Sequence, residues 1–272
     1  MQVVQKFFGS YFQQRAVIRQ IRQDRYIQTG GDPRRLEHFG YKVYSQSDED
    51  GIIDEIFKRI GTTNKVFVEF GVEVGLECNT RYLLEQGWTG LWIEANPDYI
   101  PAVHHHFKQA IESGHLKVIH AKVTAENINN LISSGGISGE IDLLSIDIDS
   151  NDYHVWRAID VVNPRVCCIE HNCSFPPPQE YIMAYDPDFQ WFGQTSNYGA
   201  SIVAMEKLAK TKGMTLVSCG LYSPNGFYVR NDLINQDIFS PPFTPERFYH
   251  PLQYEKIVTF PTGKFMRNNQ SM

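Results

Sequence analysis

The stretch Lys65-Val-Phe-Val-Glu-Phe-Gly-Val-Glu-Val-Gly75 decides the fold. It is a short apolar run that breaks into a loop carrying Gly71 and Gly75, and a helical pattern follows. A buried strand ending in such a loop is how doubly wound α/β proteins present a ligand at the carboxyl edge of a sheet. Outward from it, further strands are predicted at 90–95, 116–121, 141–147 and 165–170, with helical stretches at 79–87, 97–112, 125–134 and 152–160. This alternation calls for a parallel sheet with right-handed crossovers and helices on both faces. A helix at 199–212 then leads into Met214 to Cys219, a Pro/Asn/Gly turn and Phe227 to Arg230, which read as a terminal antiparallel hairpin. The expected fold is a doubly wound, seven-stranded, mostly parallel α/β sheet.

The chain has 272 residues, 42% of them hydrophobic, enough for a substantial core, and a formal net charge of −6. That charge argues against a general nucleic-acid or anionic-membrane binder. Five cysteines without paired Cys-x-x-Cys spacing point to reduced, intracellular usage. The amino end carries no secretory pattern, and no apolar run approaches the roughly 18 residues of a membrane span. A cytoplasmic protein is expected.

Three parts are expected. Residues 1–40 form a helical amino-terminal extension, with an amphipathic stripe that packs on its own domain or serves docking or dimerisation. Residues 41–232 form the main domain, and residues 233–272 a proline-rich tail that wraps it or a partner subunit in a homodimer. Within the main domain, residues 172–197 form a long irregular segment rich in aromatics, including Phe175, Tyr181, Tyr185, Phe189 and Trp191, with Tyr198 directly after it. Such a loop reads as a lid over the site, and its aromatics suit a sugar or aromatic acceptor. The helix before the first strand is predicted to be capped by Ser47, with Gln46 and Glu49 either touching a ligand or merely capping. His104, His105 and His106 diverge around a helix and read as solvated surface.

Gly71-x-Glu73-x-Gly75 departs from the dinucleotide fingerprint, and Glu73 would repel phosphates. The second strand ends on Glu94, a position from which a carboxylate can accept hydrogen bonds from both ribose hydroxyls. A ribose without diphosphate, near glycines and acids, suggests S-adenosylmethionine. The fourth strand ends in Asp147-Ile-Asp149, whose acids share a face if the strand persists, and the fifth in Glu170-His171-Asn172. Asp147, Asp149, Glu170 and Asn172 converging there would repel one another unless protonated or bridged by Mg²⁺, Mn²⁺ or Ca²⁺. His171 is a further ligand or a general base, or else a structural histidine pointing away from its neighbours.

The chain resembles class I S-adenosylmethionine-dependent methyltransferases, most closely the FkbM-type and metal-dependent sugar O-methyltransferases. The resemblance runs from about Tyr44 to Arg230 and rests on Ser45-Gln-Ser-Asp-Glu-Asp-Gly-Ile, Phe67-Val-Glu-Phe-Gly-Val-Glu-Val-Gly, Asn79-Thr-Arg-Tyr-Leu-Leu-Glu, Gly87-Trp-Thr-Gly-Leu-Trp-Ile-Glu, Leu143-Leu-Ser-Ile-Asp-Ile-Asp-Ser-Asn-Asp-Tyr and Tyr198-Gly-Ala-Ser. It implies that Glu69 and Gly71 lie beside the methionine part of the cofactor, Glu94 on the ribose, and Val123 and Thr124 near the adenine; Gln46, Asn79, Thr80 and Asp147 complete the expected cofactor-binding set. It also implies a Mg²⁺ or Mn²⁺ site of Asp147, Glu170 and Asn172, with Asp149 as the base candidate; His171, from its own place at the end of the fifth strand, is the second catalytic candidate. Here Glu170 and Asn172 are separated by His171, whereas the corresponding metal pair of the family is adjacent. The expected activity is O-methylation of a hydroxyl on a small-molecule or glycan acceptor, such as a polysaccharide precursor or secondary metabolite. The competing expectations are a metal-dependent nucleotide-sugar glycosyltransferase, from the Asp-x-Asp, and a non-catalytic binding protein on the same fold.

Overall fold

The computed structural model describes residues 31–191, 193, 195–220 and 224–251. The amphipathic stripe expected over residues 1–28 and the end of the proline-rich tail lie outside them. Among the described residues seven strands form one sheet: β1 (Val66–Phe70), β2 (Thr89–Glu94), β3 (Leu116–His120), β4 (Gly139–Ile146), β5 (Val162–Glu170), β6 (Met214–Cys219) and β7 (Asn225–Arg230). Their spatial order is β3-β2-β1-β4-β5-β7-β6. All strands are parallel except β7, which runs antiparallel to β5 and β6. The chain winds outward from β1 to β3 and then returns to place β4 against the other side of β1. That reversal opens a crevice at the carboxyl ends of β1 and β4.

Side chains alternate across the sheet and divide the core in two. Val68, Phe70, Leu91, Ile93, Leu144, Ile146, Cys167 and Ile169 meet α5 (Ile128–Ser134), α6 (Asp152–Ala158) and α7 (Ile202–Thr211) on one face. Phe67, Trp92, Leu143, Val166, Cys168, Phe227 and Val229 meet α1 (Glu49–Ile60), α2 (Arg81–Glu85) and α3 (Ile100–His106) on the other. Ile52, Ile53 and Ile56 of α1 are fully buried, and each such side chain contributes roughly 1.5–3 kcal/mol relative to exposure. Two short helices, α4 (Lys108–Glu112) and α8 (Pro245–Phe248), complete the set among the described residues. None of these helices is long and apolar enough to cross a membrane.

Some local expectations are corrected. The helix expected over 97–112 is divided at Phe107, whose ring is buried edge-on against Trp92 at 4.7 Å. Ser47 does not cap α1: Asp48 holds the cap position without a side-chain cap bond, and the Ser47 hydroxyl faces the Asp48 carboxylate. Asp50 turns back instead and accepts the backbone N–H groups of Val43, Tyr44 and Ser45, fixing the segment that leads into the helix. The tail residues Phe239 and Phe248 are buried, and Arg59 of α1 donates to the Ile238 carbonyl, so this part of the tail is packed on the main body.

The start of β1 is held by Asp142, which lies fully buried on β4. Its carboxylate accepts the backbone N–H groups of Thr63, Asn64 and Lys65 at 3.0, 3.0 and 2.7 Å, and Arg165 of β5 at 2.6 Å. Arg165 in turn donates to the carbonyls of Ile60 and Gly61. Burial pushes the Asp142 pKa up, but Arg165 and the three amides more than offset this and hold it below the ordinary carboxylate value. A depressed pKa means that its stabilisation is present at neutral pH and is lost as acid protonates the group. Asp142→Ala, which strands Arg165 and three amides, is expected to cost about 3 kcal/mol in urea unfolding at pH 7. The difference from the parent should shrink as the pH falls below 4.

Candidate functional site

A cavity of about 1120 Å³ opens at the carboxyl edge where β1, β2 and β4 end. Two tight features create it. At Gly71 the chain leaves β1 with φ +80°, and a Cβ there would lie 1.7 Å from the Asp147 carbonyl oxygen, so only glycine lets β1 and β4 end this close together. Gly75, with φ +76°, packs against Trp92 and Phe107 in the same way. Between them Glu73 takes φ +53°, and at the end of β4 Asp149 takes φ +55°. Left-handed backbone at two non-glycine residues beside one cavity is the kind of strain that collects at functional sites.

Glu69 is buried, and both of its oxygens are engaged. One accepts the Asn79 N–H at 2.9 Å and the Ser145 hydroxyl at 3.0 Å; the other accepts the Thr80 N–H at 3.0 Å and the Thr80 hydroxyl at 2.5 Å. The Thr80 hydroxyl also receives the Trp92 indole N–H at 2.8 Å. Burial raises the Glu69 pKa despite these donors. Glu94 is 6% exposed and accepts the backbone N–H of Glu73 at 2.7 Å and of Asn96 at 2.8 Å, one on each oxygen. Burial raises its pKa as well. Each of its oxygens keeps acceptor capacity beyond these single bonds.

Of the residues expected to bind a cofactor, Gln46, Glu69, Gly71, Asn79, Glu94, Val123 and Asp147 line the cavity. Thr80 is fully buried behind it. Thr124 exchanges hydrogen bonds with Asn127 at the start of α5. Tyr99, Ala121, Lys122 and Asn225 also line the cavity, together with Pro187, Phe189, Gln190 and Trp191 of the aromatic segment. The base of that segment is fastened: Tyr185 donates to Glu126 and accepts the Ala125 N–H, and the Asn151 amide donates to the Asp186 carbonyl. Trp191 leans on Tyr198 with ring centroids 4.5 Å apart.

Asp147, Asp149 and Glu170 bring carboxylate oxygens within 4.8 Å of one another. The route differs from the expected one. β4 ends at Ile146, and a turn, rather than a continuing strand, brings Asp149 back toward Asp147. Asp152 fixes that turn by accepting the N–H groups of Ile148 and Ser150 at 2.9 and 3.0 Å, and burial pushes its own pKa up to about 6.

Asn172 does not join the acids. Its amide nitrogen donates to the Ser196 and Tyr198 carbonyls, and its oxygen accepts the Ser174 N–H, so the side chain pins the aromatic segment instead. His171 is buried with its Nε2 3.4 Å from the Cys173 sulfur, does not line the cavity, and is held neutral by burial, which lowers its pKa to about 4.

Asn225 escaped the sequence reading because Pro224-Asn225-Gly226 looks like a turn. In the fold Asn225 opens β7 directly opposite Glu170. Its only sequence signal is that the turn adjoins the strand paired with Glu170.

Gly71 and Gly87 offer a matched pair for testing the close approach. Both have φ +80°, but nothing lies within 4 Å of a Cβ at Gly87. Gly87→Ala should cost about 1 kcal/mol, the strain of a left-handed alanine. Gly71→Ala adds an overlap with backbone and is expected to cost at least about 2 kcal/mol more in the same unfolding measurement. Equal losses would contradict the role assigned to Gly71.

No protein-family model matches the chain, and no curated protein shows a significant match. Among solved structures, the chain is similar to an S-adenosylmethionine-dependent methyltransferase from Clostridium acetobutylicum ATCC 824, with 13% identity, a TM-score of 0.38, and coverage of 65% of this chain and 88% of that one. It is similar to the amino-terminal domain of EvdMO1, solved with SAH and D-fucose, at 11% identity and a TM-score of 0.41, covering 78% and 94% of the two chains. It is also similar to the mitomycin 7-O-methyltransferase MmcR at 11% identity and a TM-score of 0.39; there the match covers 65% of this chain and 53% of MmcR, about half its length.

Proposed function

We propose that this protein is an S-adenosylmethionine-dependent O-methyltransferase that acts on a hydroxyl of a sugar, glycan precursor or secondary metabolite, assisted by a divalent cation. The observation that carries the reading is Glu94: a carboxylate at the end of β2, fixed by two backbone amides and facing a cavity whose floor is the side-chain-free Gly71. A vicinal diol is the natural donor to such a carboxylate. Glu73, lining the same cavity, disfavours a diphosphate. When bound, the cofactor supplies a methyl group on a sulfonium, a cation suited to walls formed by Glu69, Glu94 and Asp147.

The protein's own contribution is placement and proton transfer. The aromatic segment supplies Phe189 and Trp191 as apolar surface for the acceptor and shields the cavity from water. Asp149 is the base assigned to take the acceptor's hydroxyl proton, and Asp152 holds its turn. Asp147, Asp149 and Glu170 are the residues that would hold the cation, and their oxygen chemistry fits Mg²⁺ or Mn²⁺. A bound cation would lower the pKa of the acceptor hydroxyl. His171 has no part in this mechanism.

Calorimetric titration with S-adenosylhomocysteine tests the reading. The full chain is expected to bind it in the micromolar range, and Glu94→Ala to weaken binding at least about tenfold, which is 1.4 kcal/mol. No measurable binding by the parent protein, or unchanged affinity in the variant, would refute it.

A further inference from the structure

On the face of the sheet that carries α1, three polar side chains stand in a row at the carboxyl edge. Ile146 pairs with Ile169, so Asp147 is the next residue alongside Glu170, and Glu170 pairs directly with Asn225. Asp147 follows the last residue of β4, Glu170 ends β5 and Asn225 opens β7, adjacent strands about 4.8 Å apart. Asp149 closes over this row, its carboxylate within 4.8 Å of those of Asp147 and Glu170.

Asn225 is 3% exposed and lines the same cavity as Asp147 and Asp149. Its amide nitrogen donates to Glu49 Oε1 at 3.2 Å, whereas its amide oxygen is buried and has no hydrogen-bond partner. A buried amide oxygen left without a donor costs about 1–3 kcal/mol, so such an atom calls for an occupant. Glu49 is itself fixed: it is fully buried, and its other oxygen accepts the Ser47 N–H at 2.8 Å. A carboxylate can only accept from an amide, so Glu49 locks the orientation of Asn225 with the nitrogen toward α1 and the oxygen on the other arm.

We infer that Asn225 is a further ligand of a divalent-cation site formed with Asp147, Asp149 and Glu170, and that Glu49 is the positioning residue that turns the Asn225 oxygen toward the ion. The inference rests on the cation component of the proposed function and adds to it a ligand from the antiparallel strand. Four oxygens, three of them charged, suit a hard cation that keeps waters in its remaining positions. The site also explains why Gln46-Ser47-Asp48-Glu49 lies close to the catalytic edge: Glu49 acts through Asn225 rather than on substrate.

The test uses Mn²⁺ alone with the full-length protein, its free ion followed by electron paramagnetic resonance, in parallel with calorimetric titration of S-adenosylhomocysteine. One Mn²⁺ is expected per chain. Asn225→Ala should weaken it about tenfold, while Asn225→Asp, which restores an oxygen, should bind at least as tightly as the parent. Glu49→Gln, which frees the Asn225 amide to rotate, should weaken Mn²⁺ about as much as Asn225→Ala even though it removes no ligand. Circular dichroism and the melting temperature confirm that each variant is folded. The inference is overturned if the parent fails to bind Mn²⁺ at millimolar concentration, or if folded Asn225→Ala or Glu49→Gln binds it as the parent does. Because Mn²⁺ binding is read without the methyl donor, that failure is separate from a failure to bind S-adenosylhomocysteine, which would count against the methyltransferase reading itself.

Discussion

The buried carboxylate of Glu69 ties together separate parts of the site. Three of its four donors belong to Asn79 and Thr80, at the end of the loop between β1 and α2, and the fourth to Ser145 near the end of β4; through Thr80 it reaches Trp92 on β2. Desolvating a carboxylate is costly unless its lone pairs are filled, and here they are filled by groups from two segments distant in sequence. The carboxyl edges of β1, β2 and β4 are thereby fixed relative to one another. Gly71 can then pass over the Asp147 carbonyl, and Glu94 can meet the Glu73 amide, because the loop between them has a set path. A residue that resembles a cofactor contact in sequence thus has its oxygens committed to building the floor on which a cofactor would rest.

The architecture was legible because burial on both faces of a parallel sheet writes itself as apolar runs separated by amphipathic helices. The runs around Val66–Phe70, Thr89–Glu94 and Val162–Glu170 needed no further information to be placed. Glu94 and Asp147 were legible for a related reason: polar residues that end such runs fall at the carboxyl edge. What stayed hidden depended on backbone turns and on partners distant in sequence. Asp149 reaches the acid cluster through a left-handed residue, which alternation along a strand cannot reveal. Asn172 was expected among the acids because its spacing from Glu170 is that of a shared strand face, but β5 stops at Glu170 and the side chain turns to the carbonyls of Ser196 and Tyr198. Asn225 was hidden in a turn motif, 55 residues beyond the strand it pairs with, as the difference between 225 and 170 shows.

Charge gives these corrections a common logic. Glu69, Glu73, Glu77, Glu94, Asp147 and Asp149 line one cavity, with Lys122 the lysine that lines it among the described residues. Lys122 is itself paired with Asp188, and Lys42 nearby is paired with Glu77. The fold manages part of this excess by giving Glu69 and Glu94 backbone and hydroxyl donors, which stabilise charge without introducing a cation. The acids at the ends of β4 and β5 sit within 4.8 Å of one another, and like charges that close favour a cation or a shared proton. Under the proposed function, a cationic methyl donor on the Glu94 side and a metal ion on the Asp147 side would answer the same electrostatic demand in two places. The division between them would fall at Asp147, which lies beside Gly71 on one side and Glu170 on the other.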